Sequence, residues 1–317
     1  MATMIVAIHT KAFYDVDIIR RLTQPFLDSA VPVFFILSSF FLFRKMDSKG
    51  YSWSIYGSFL KRIIVLYAFW FIATLPLTLY SKWYYFDYSF PKICWFVLRD
   101  FLFSYTFSGS WFLTALIVGT FLVFLLKKYF KTPSFILTII ALLFFTYVKM
   151  VSYCPEWMQK PYLFIQTNIR DVVELTPITG FIWCLVGCVF AEGDLLKRIT
   201  IGLRESVIVI VFMVMYLLTV FLPSQWAFTA LPFLVLSIIL FAYSLSLRPS
   251  DVYLKLRNIS ILIYLIHFPL LNISVLLPAN CPHIVYYLIV LIGALLVALI
   301  ILKLETVRIF NFLRYSH

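Results

Sequence analysis

An all-α, polytopic integral membrane protein is the fold class this sequence predicts, and three observations predict it. Hydrophobic residues fill 63% of the 317 positions and charged residues only 13%, against about half and about a quarter in soluble domains. The mean hydropathy is +0.99. Apolar runs of about 18 or more residues recur, the length that crosses a bilayer as a helix. They do not alternate with the period-two pattern of a transmembrane barrel strand. A single transmembrane domain over residues 1–317 is therefore expected, without room for a sizeable soluble one.

The span-length criterion picks out about ten segments in chain order. They are Met1–Phe13, Phe26–Phe43, Phe59–Tyr80, Trp111–Leu126, Ser134–Val151, Ile178–Ala191, Val207–Leu222, Ala227–Leu247, Ile259–Leu277 and Ile284–Leu302. The first is too short to span at about 1.5 Å of rise per residue. It reads as a truncated first helix: a half-helix, or the end of one that begins upstream of Met1. The sixth is also short, and Pro177 and Gly180 mark its start.

Loop charge sets the orientation. Arg44, Lys45, Lys49, Lys61 and Arg62 follow the second segment, and Lys127, Lys128 and Lys131 the fourth. Lys197, Arg198 and Arg204 follow the sixth, Arg248, Lys255 and Arg257 the eighth, and Lys303, Arg308 and Arg314 the tenth. The intervening loops are poor in positive charge. Basic loops stay cytoplasmic, so the alternation predicts ten spans with both termini in the cytoplasm. It also accounts for the net charge of +12. No Lys/Arg block of the nucleic-acid type occurs, so nucleic acid is not an expected partner.

Two outward regions are long. Ser81–Ser110 carries Trp83, Tyr84, Tyr85, Phe86, Tyr88, Phe90 and Trp95, and Ser152–Glu174 carries Pro155, Trp157, Pro161 and Tyr162. Aromatic rings collect at membrane interfaces because they are amphipathic, and stacking on carbohydrate is the functional alternative. The five cysteines form no metal-ligand pattern. Cys184 and Cys188, four apart on a helix face, read as packing, and no metal site is expected.

Ionisable groups inside membrane spans are costly and are functional hypotheses by default. His9 and His267 are the histidines that fall within apolar runs, whereas His283 follows Pro282 in a loop and His317 ends the chain. A histidine suits proton removal from a hydroxyl because its pKa lies near working pH. Asp15, Asp17 and Asp28, close in sequence on the outer side, are carboxylates that could orient His9, although solvated loop positions explain them as well.

At four places the chain resembles membrane-bound acyltransferase family 3. One is the apolar helix that ends in His9. The second is Val31–Leu42, VPVFFILSSFFL, similar to the family's V-P-L-F-F-x-x-S-G-F-L run. The third is Ser110–Leu116, SWFLTAL, similar to its W-F-L-x-A-L helix start. The fourth is Asn258–Leu270, NISILIYLIHFPL, similar to its I-S-x-x-x-Y-L-x-H-x-P run. Three departures accompany these matches. The family arginine about three turns before the histidine has no counterpart, the Arg-x-x-Arg pair at the third helix retains Arg62 but has Val65 in place of its partner, and Ser39 replaces the usual glycine.

The resemblance implies an O-acyltransferase of the inner (plasma) membrane that acylates extracytoplasmic sugars or polysaccharides. His9 would be the general base, acting by direct transfer or through an acyl-histidine. Acyl-CoA, acetyl-CoA by default, would be a cytoplasmic co-substrate, with no cofactor tightly bound. Its phosphates need a cationic cradle, which points to Arg62, Lys61 and Arg44. Ser38, Trp111, Ser260, Tyr264 and His267 would line or brace the cavity, with small-residue packing an equal account of Ser38 and Ser260. The expected partners are the acyl donor, a cell-surface glycan or lipid-linked sugar, and membrane lipid; no oligomeric state follows. A glycan or lipid-carrier transporter, or a truncated and catalytically silent relative, would share the helix pattern.

Overall fold

The computed structural model describes residues 1–86, 88–103, 110–168, 177–222, 224–245, 250–272, 277–278 and 280–317. Every regular element among them is helical. The α-helices are α1 (Ala2–Thr10), α2 (Asp17–Lys49), α3 (Trp53–Phe86), α4 (Phe90–Phe103), α5 (Ser110–Lys128), α6 (Ser134–Met150), α7 (Glu156–Asn168), α8 (Pro177–Ala191), α9 (Leu195–Gly202), α10 (Glu205–Phe221), α11 (Ser224–Ser244), α12 (Asp251–Leu270) and α13 (His283–Leu304). Short 3-10 turns occupy Val151–Tyr153, Glu192–Asp194 and Arg308–Ser316.

Each of the ten apolar segments overlaps one of these helices; residues 246–247 of the eighth and 273–276 of the ninth lie outside the described residues. By length and composition, six helices among the described residues suffice to cross a membrane: those at Asp17–Lys49, Trp53–Tyr80, Ser110–Lys128, Ser134–Tyr153, Pro177–Gly202 and His283–Leu304. Glu205–Phe221 and Thr229–Ser244 are apolar but shorter. The two long regions 81–110 and 152–174 differ from the sequence reading, since they contain α4 and α7. At 14 and 13 residues, these helices fall below a criterion tuned to spans of about 18. His283 likewise opens α13 instead of sitting in a loop. The side chains of Tyr84, Tyr85 and Phe86, together with Pro223 and Arg248, lie outside the described residues.

The described residues form two compact units, one of Met1–Val33 with Ile199–His317 and one of Phe34–Arg198. Helix α2 contributes to both. It carries Pro25 and Pro32, and each removes a backbone donor from the helix interior.

In the first unit, α1 packs on α12 and α13, α12 pairs with α13, and α10 pairs with α11. Phe26 lies 4.8 Å from the Tyr216 ring, and the Tyr216 hydroxyl donates to the Leu22 carbonyl at 2.9 Å. Ala7, Ala12 and Leu27 form a buried cluster, against which Met4, Ile8, Phe13 and Tyr287 pack.

In the second unit, α8 packs on α5 and α6. Glycines permit the close α5–α8 approach: a Cβ on Gly119 would lie 2.7 Å from the Gly180 carbonyl carbon. Small residues of this kind let membrane helices come together backbone to backbone. Beside them Tyr56 stacks on Phe124 at 4.8 Å and donates its hydroxyl hydrogen to the Ile117 carbonyl. Cys184 and Cys188 are buried and free, as packing residues would be. Cys154 and Cys281 are also free.

Candidate functional site

Helix α1 stops immediately after His9, and the local sequence sets that stop. Lys11 takes the left-handed conformation, with φ of 54°. Its N–H bonds to the Ile8 carbonyl, and the Ala12 N–H bonds to the Ala7 carbonyl at 3.0 Å. This double bond pattern is a Schellman cap. The Thr10 hydroxyl donates to the Val6 carbonyl at 2.9 Å and ties the last turn to the one before it. His9 is thereby held in the final turn, where its side chain is exposed.

On α12 the serine at 250 opens the helix, its Oγ accepting from the Val252 N–H at 3.3 Å. Ser260, Tyr264 and His267 then recur four and three residues apart, the spacing that places side chains on one helix face. Ser260 and Tyr264 are half-buried, and His267 is 0% exposed.

The fold brings the two histidines together. The His9 and His267 rings are 5.4 Å apart between centroids, tilted by 37°. Phe268 meets His9 edge-on at 4.8 Å, and Tyr264 lies 6.0 Å from His267. His267 Nδ1 is 3.2 Å from the Ile263 carbonyl. That carbonyl can only accept, so Nδ1 carries the proton. His267 Nε2 is buried and has no hydrogen-bond partner. Among these groups Phe268 is the one the sequence reading missed; its place directly after His267 was the available signal.

Each of the nearby carboxylates has another partner. Asp15 Oδ2 accepts the His283 backbone N–H at 2.9 Å, and Asp15 Oδ1 lies 3.8 Å from His283 Nε2. Asp17 pairs with Arg20 at 2.9 Å, and Asp28 accepts from Gln24 at 2.7 Å. The structure thus gives each of the three a bonding partner other than His9.

The remaining predicted residues lie in the second unit. Trp111 is buried, 6.1 Å from the Phe35 ring, and Ser38 is half-buried. Its neighbour Ser39 is fully buried and donates to the Phe35 carbonyl at 2.8 Å. Lys61 and Arg62 are exposed on α3. Arg44 Nε pairs with Asp194 at 3.1 Å.

That pair belongs to a polar cluster at the Glu192–Asp194 turn. Lys127 Nζ bonds Glu192 at 3.0 Å and the Thr132 carbonyl at 3.0 Å. Asp47 accepts the Gly193 N–H at 3.1 Å, and Lys128 Nζ donates to the Tyr51 carbonyl at 2.9 Å. Gly193 and Asp194 both have positive φ, 56° and 54°, which turns the chain back toward α2. Burial, then Cys188, Asp47 and Glu192 nearby, raise the Tyr51 hydroxyl above the ordinary tyrosine range and keep it protonated.

Where α3 meets α4, a cavity of about 710 Å³ is lined in part by Tyr80, Trp83, Tyr88, Ser89 and Phe90. Lys92 Nζ sits 4.2 Å from the Tyr88 ring centroid, a cation–π distance. Of the aromatic residues noted in this region, Trp83, Tyr88 and Phe90 therefore share one concave surface.

Comparison with known proteins adds three findings. A family model described as an acyltransferase domain matches residues 1–303. An amino-acid racemase of Enterococcus faecalis is 30% identical over 142 residues, which are 43% of this chain and 19% of that protein. The chain thus spans about a fifth of that relative's length. No solved structure matches.

Proposed function

The chain belongs to the membrane acyltransferase 3 family, and from that premise we propose that it moves an acyl group, acetyl by default, from cytoplasmic acyl-CoA to a hydroxyl of an extracytoplasmic sugar or polysaccharide. The observation that carries this reading is the position of His9. A capped helix end holds its imidazole beside the buried ring of His267, at a place where an ionisable group is costly without a task.

The chemistry follows from those groups. His9 takes the proton of the acceptor hydroxyl as its oxygen attacks the thioester carbonyl. The new C–O bond forms, the C–S bond breaks, and the departing thiolate recovers the proton from His9. CoA leaves as the thiol, and the imidazole returns to its neutral form. Base catalysis of this kind contributes about 10²–10⁴-fold.

The exposed Lys61 and Arg62 offer the donor phosphates charge-assisted hydrogen bonds, and Arg44 joins them only by leaving Asp194. Trp83 and Tyr88 provide flat faces on which a sugar ring stacks. Ten spans with both termini cytoplasmic, in the inner (plasma) membrane of the cell envelope, put the donor and acceptor on opposite sides, as the loop charges require.

The Enterococcus faecalis relative is named for amino-acid racemisation, an activity of a protein of which 19% is matched. The family match, over residues 1–303, is the broader premise.

The test is radiolabelled acetyl transfer in membranes that hold wild-type protein or His9→Ala at equal levels. Wild type is expected to label glycan and the variant to lose the signal. Normal labelling by His9→Ala would sink the mechanism.

A further inference from the structure

His267 combines two properties rarely found together. Its Nδ1 proton is committed to the Ile263 carbonyl at 3.2 Å, and its Nε2 is buried without a partner. In the neutral ring, Nε2 is then a bare acceptor. An unsatisfied buried acceptor is costly, so its retention calls for a donor at some stage of the working cycle. His9 carries a ring N–H and lies 5.4 Å away between centroids. A turn of the exposed His9 ring that brings its N–H toward Nε2 closes this separation to about 3 Å between nitrogens, within hydrogen-bond range.

We infer that His267 is a positioning residue for His9: its Nε2 accepts the His9 N–H and so leaves the opposite nitrogen of His9 as the lone pair presented to the acceptor hydroxyl. The partner of a histidine's protonated nitrogen decides which nitrogen stays free. The Ile263 carbonyl fixes His267, and His267 in turn fixes His9. Phe268, edge-on to His9 at 4.8 Å, limits the imidazole's rotation and favours one ring orientation. When His9 becomes imidazolium, the same bond gains charge assistance, so it strengthens in the transition state. The chain of two imidazoles moves no net proton; the proton taken by His9 returns to the CoA thiolate.

This inference rests on His9 as the base, and its test separates the two claims. Nitrogen-labelled histidine in the full chain, reconstituted in lipid nanodiscs, reports tautomers by solid-state NMR without any turnover. His267 is expected as the Nδ1–H form, and His9→Phe is expected to shift its Nε2 resonance. An Nε2–H form, or a resonance unmoved by His9→Phe, overturns the inference whether or not the protein acylates anything.

Kinetics gives the second arm. His267→Phe keeps the ring volume but removes the acceptor, and is expected to lower kcat about 10–100-fold, short of the loss of the base itself, with both KM values within about twofold. His267→Gln keeps an acceptor near the Nε2 position and is expected to recover most of that loss. Unchanged kcat in His267→Phe, or equal losses in both variants, overturns the positioning role. Absence of acyl transfer by the wild type would count against the acyltransferase reading alone, and the NMR arm would still decide this one.

Discussion

Gly187 of α8 lies directly against Ser39 of α2. A Cβ added at Gly187 would overlap Ser39 Oγ and come within 2.5 Å of the Ile36 carbonyl oxygen. Ser39 stands where the related motif usually has glycine, so the space lost on α2 is given back on α8. Gly187→Ala is therefore expected to destabilise the detergent-solubilised protein by about 1–3 kcal/mol, the usual cost of overpacking. Adding Ser39→Gly should recover part of this, because the Ile36 carbonyl remains in the way. Thermal unfolding followed by fluorescence-detected size exclusion measures both. A double variant no more stable than Gly187→Ala would remove Ser39 from the account.

The α5–α8 contact should be no more forgiving. At Gly119 the nearest atoms to an added Cβ are backbone, with the Gly180 carbonyl oxygen at 2.8 Å and the Phe181 nitrogen at 2.9 Å. Backbone cannot swing aside as a side chain does, and Gly187 meets backbone too at the Ile36 carbonyl, so Gly119→Ala is expected to lower the unfolding temperature about as much as Gly187→Ala. Gly57 on α3 is the control, because a Cβ there meets nothing within 4 Å. Gly57→Ala should be neutral or stabilising by up to about 1 kcal/mol through helix propensity. Equal effects at positions 57 and 119 would contradict the packing argument.

Arg62 and Arg44 should respond differently to the acyl donor. Arg62→Ala is expected to raise the KM for acetyl-CoA about tenfold, the loss of one charge-assisted hydrogen bond of about 1.5 kcal/mol, with kcat nearly unchanged. Arg44 is held by Asp194 at 3.1 Å in a half-exposed pair, and such pairs are worth about 0–1 kcal/mol. Asp194→Asn frees the guanidinium and should lower the KM up to about fivefold. Initial rates over a range of donor concentrations distinguish the two. A KM raised by Asp194→Asn would exclude Arg44 from donor binding.

Much of this molecule was legible because lipid imposes simple rules. Apolar runs located ten of the helices, six of them long and apolar enough to cross a membrane. The runs VPVFFILSSFFL and NISILIYLIHFPL marked residues 31–42 and 258–270 without any structure. What composition could not reveal is pairing across sequence distance. Nothing in the neighbourhood of His9 indicates that the ring beside it is His267, or that Asp194 occupies Arg44. Helices α4 and α7 were hidden for another reason: they are too short to register as spans, and their aromatic residues read as an interfacial belt. The tautomer of His267 follows from backbone carbonyls of its own helix, Ile263 foremost, whose availability only the three-dimensional helix shows.

The last prediction concerns Asp15, which the sequence alone allowed as a carboxylate for orienting His9. In the structure Asp15 accepts the backbone N–H of His283 at 2.9 Å, at the first residue of α13. The first four N–H groups of a helix lack partners within it, and an acidic side chain there is favoured by the helix dipole as well. Asp15 thus ties the turn after α1 to the start of α13, a structural task. Asp15→Ala is expected to cost about 1 kcal/mol, as loss of a capping side chain does, and Asp15→Asn should retain most of the stability because its amide oxygen still accepts. Both variants should keep kcat within about twofold of wild type once protein amounts are matched, since Asp15 is engaged by the His283 N–H and the inferred orienting partner of His9 is His267. A loss of kcat in Asp15→Ala as deep as that of His9→Ala, at equal membrane level, would instead tie Asp15 to the imidazole and remove the reason for assigning that task to His267.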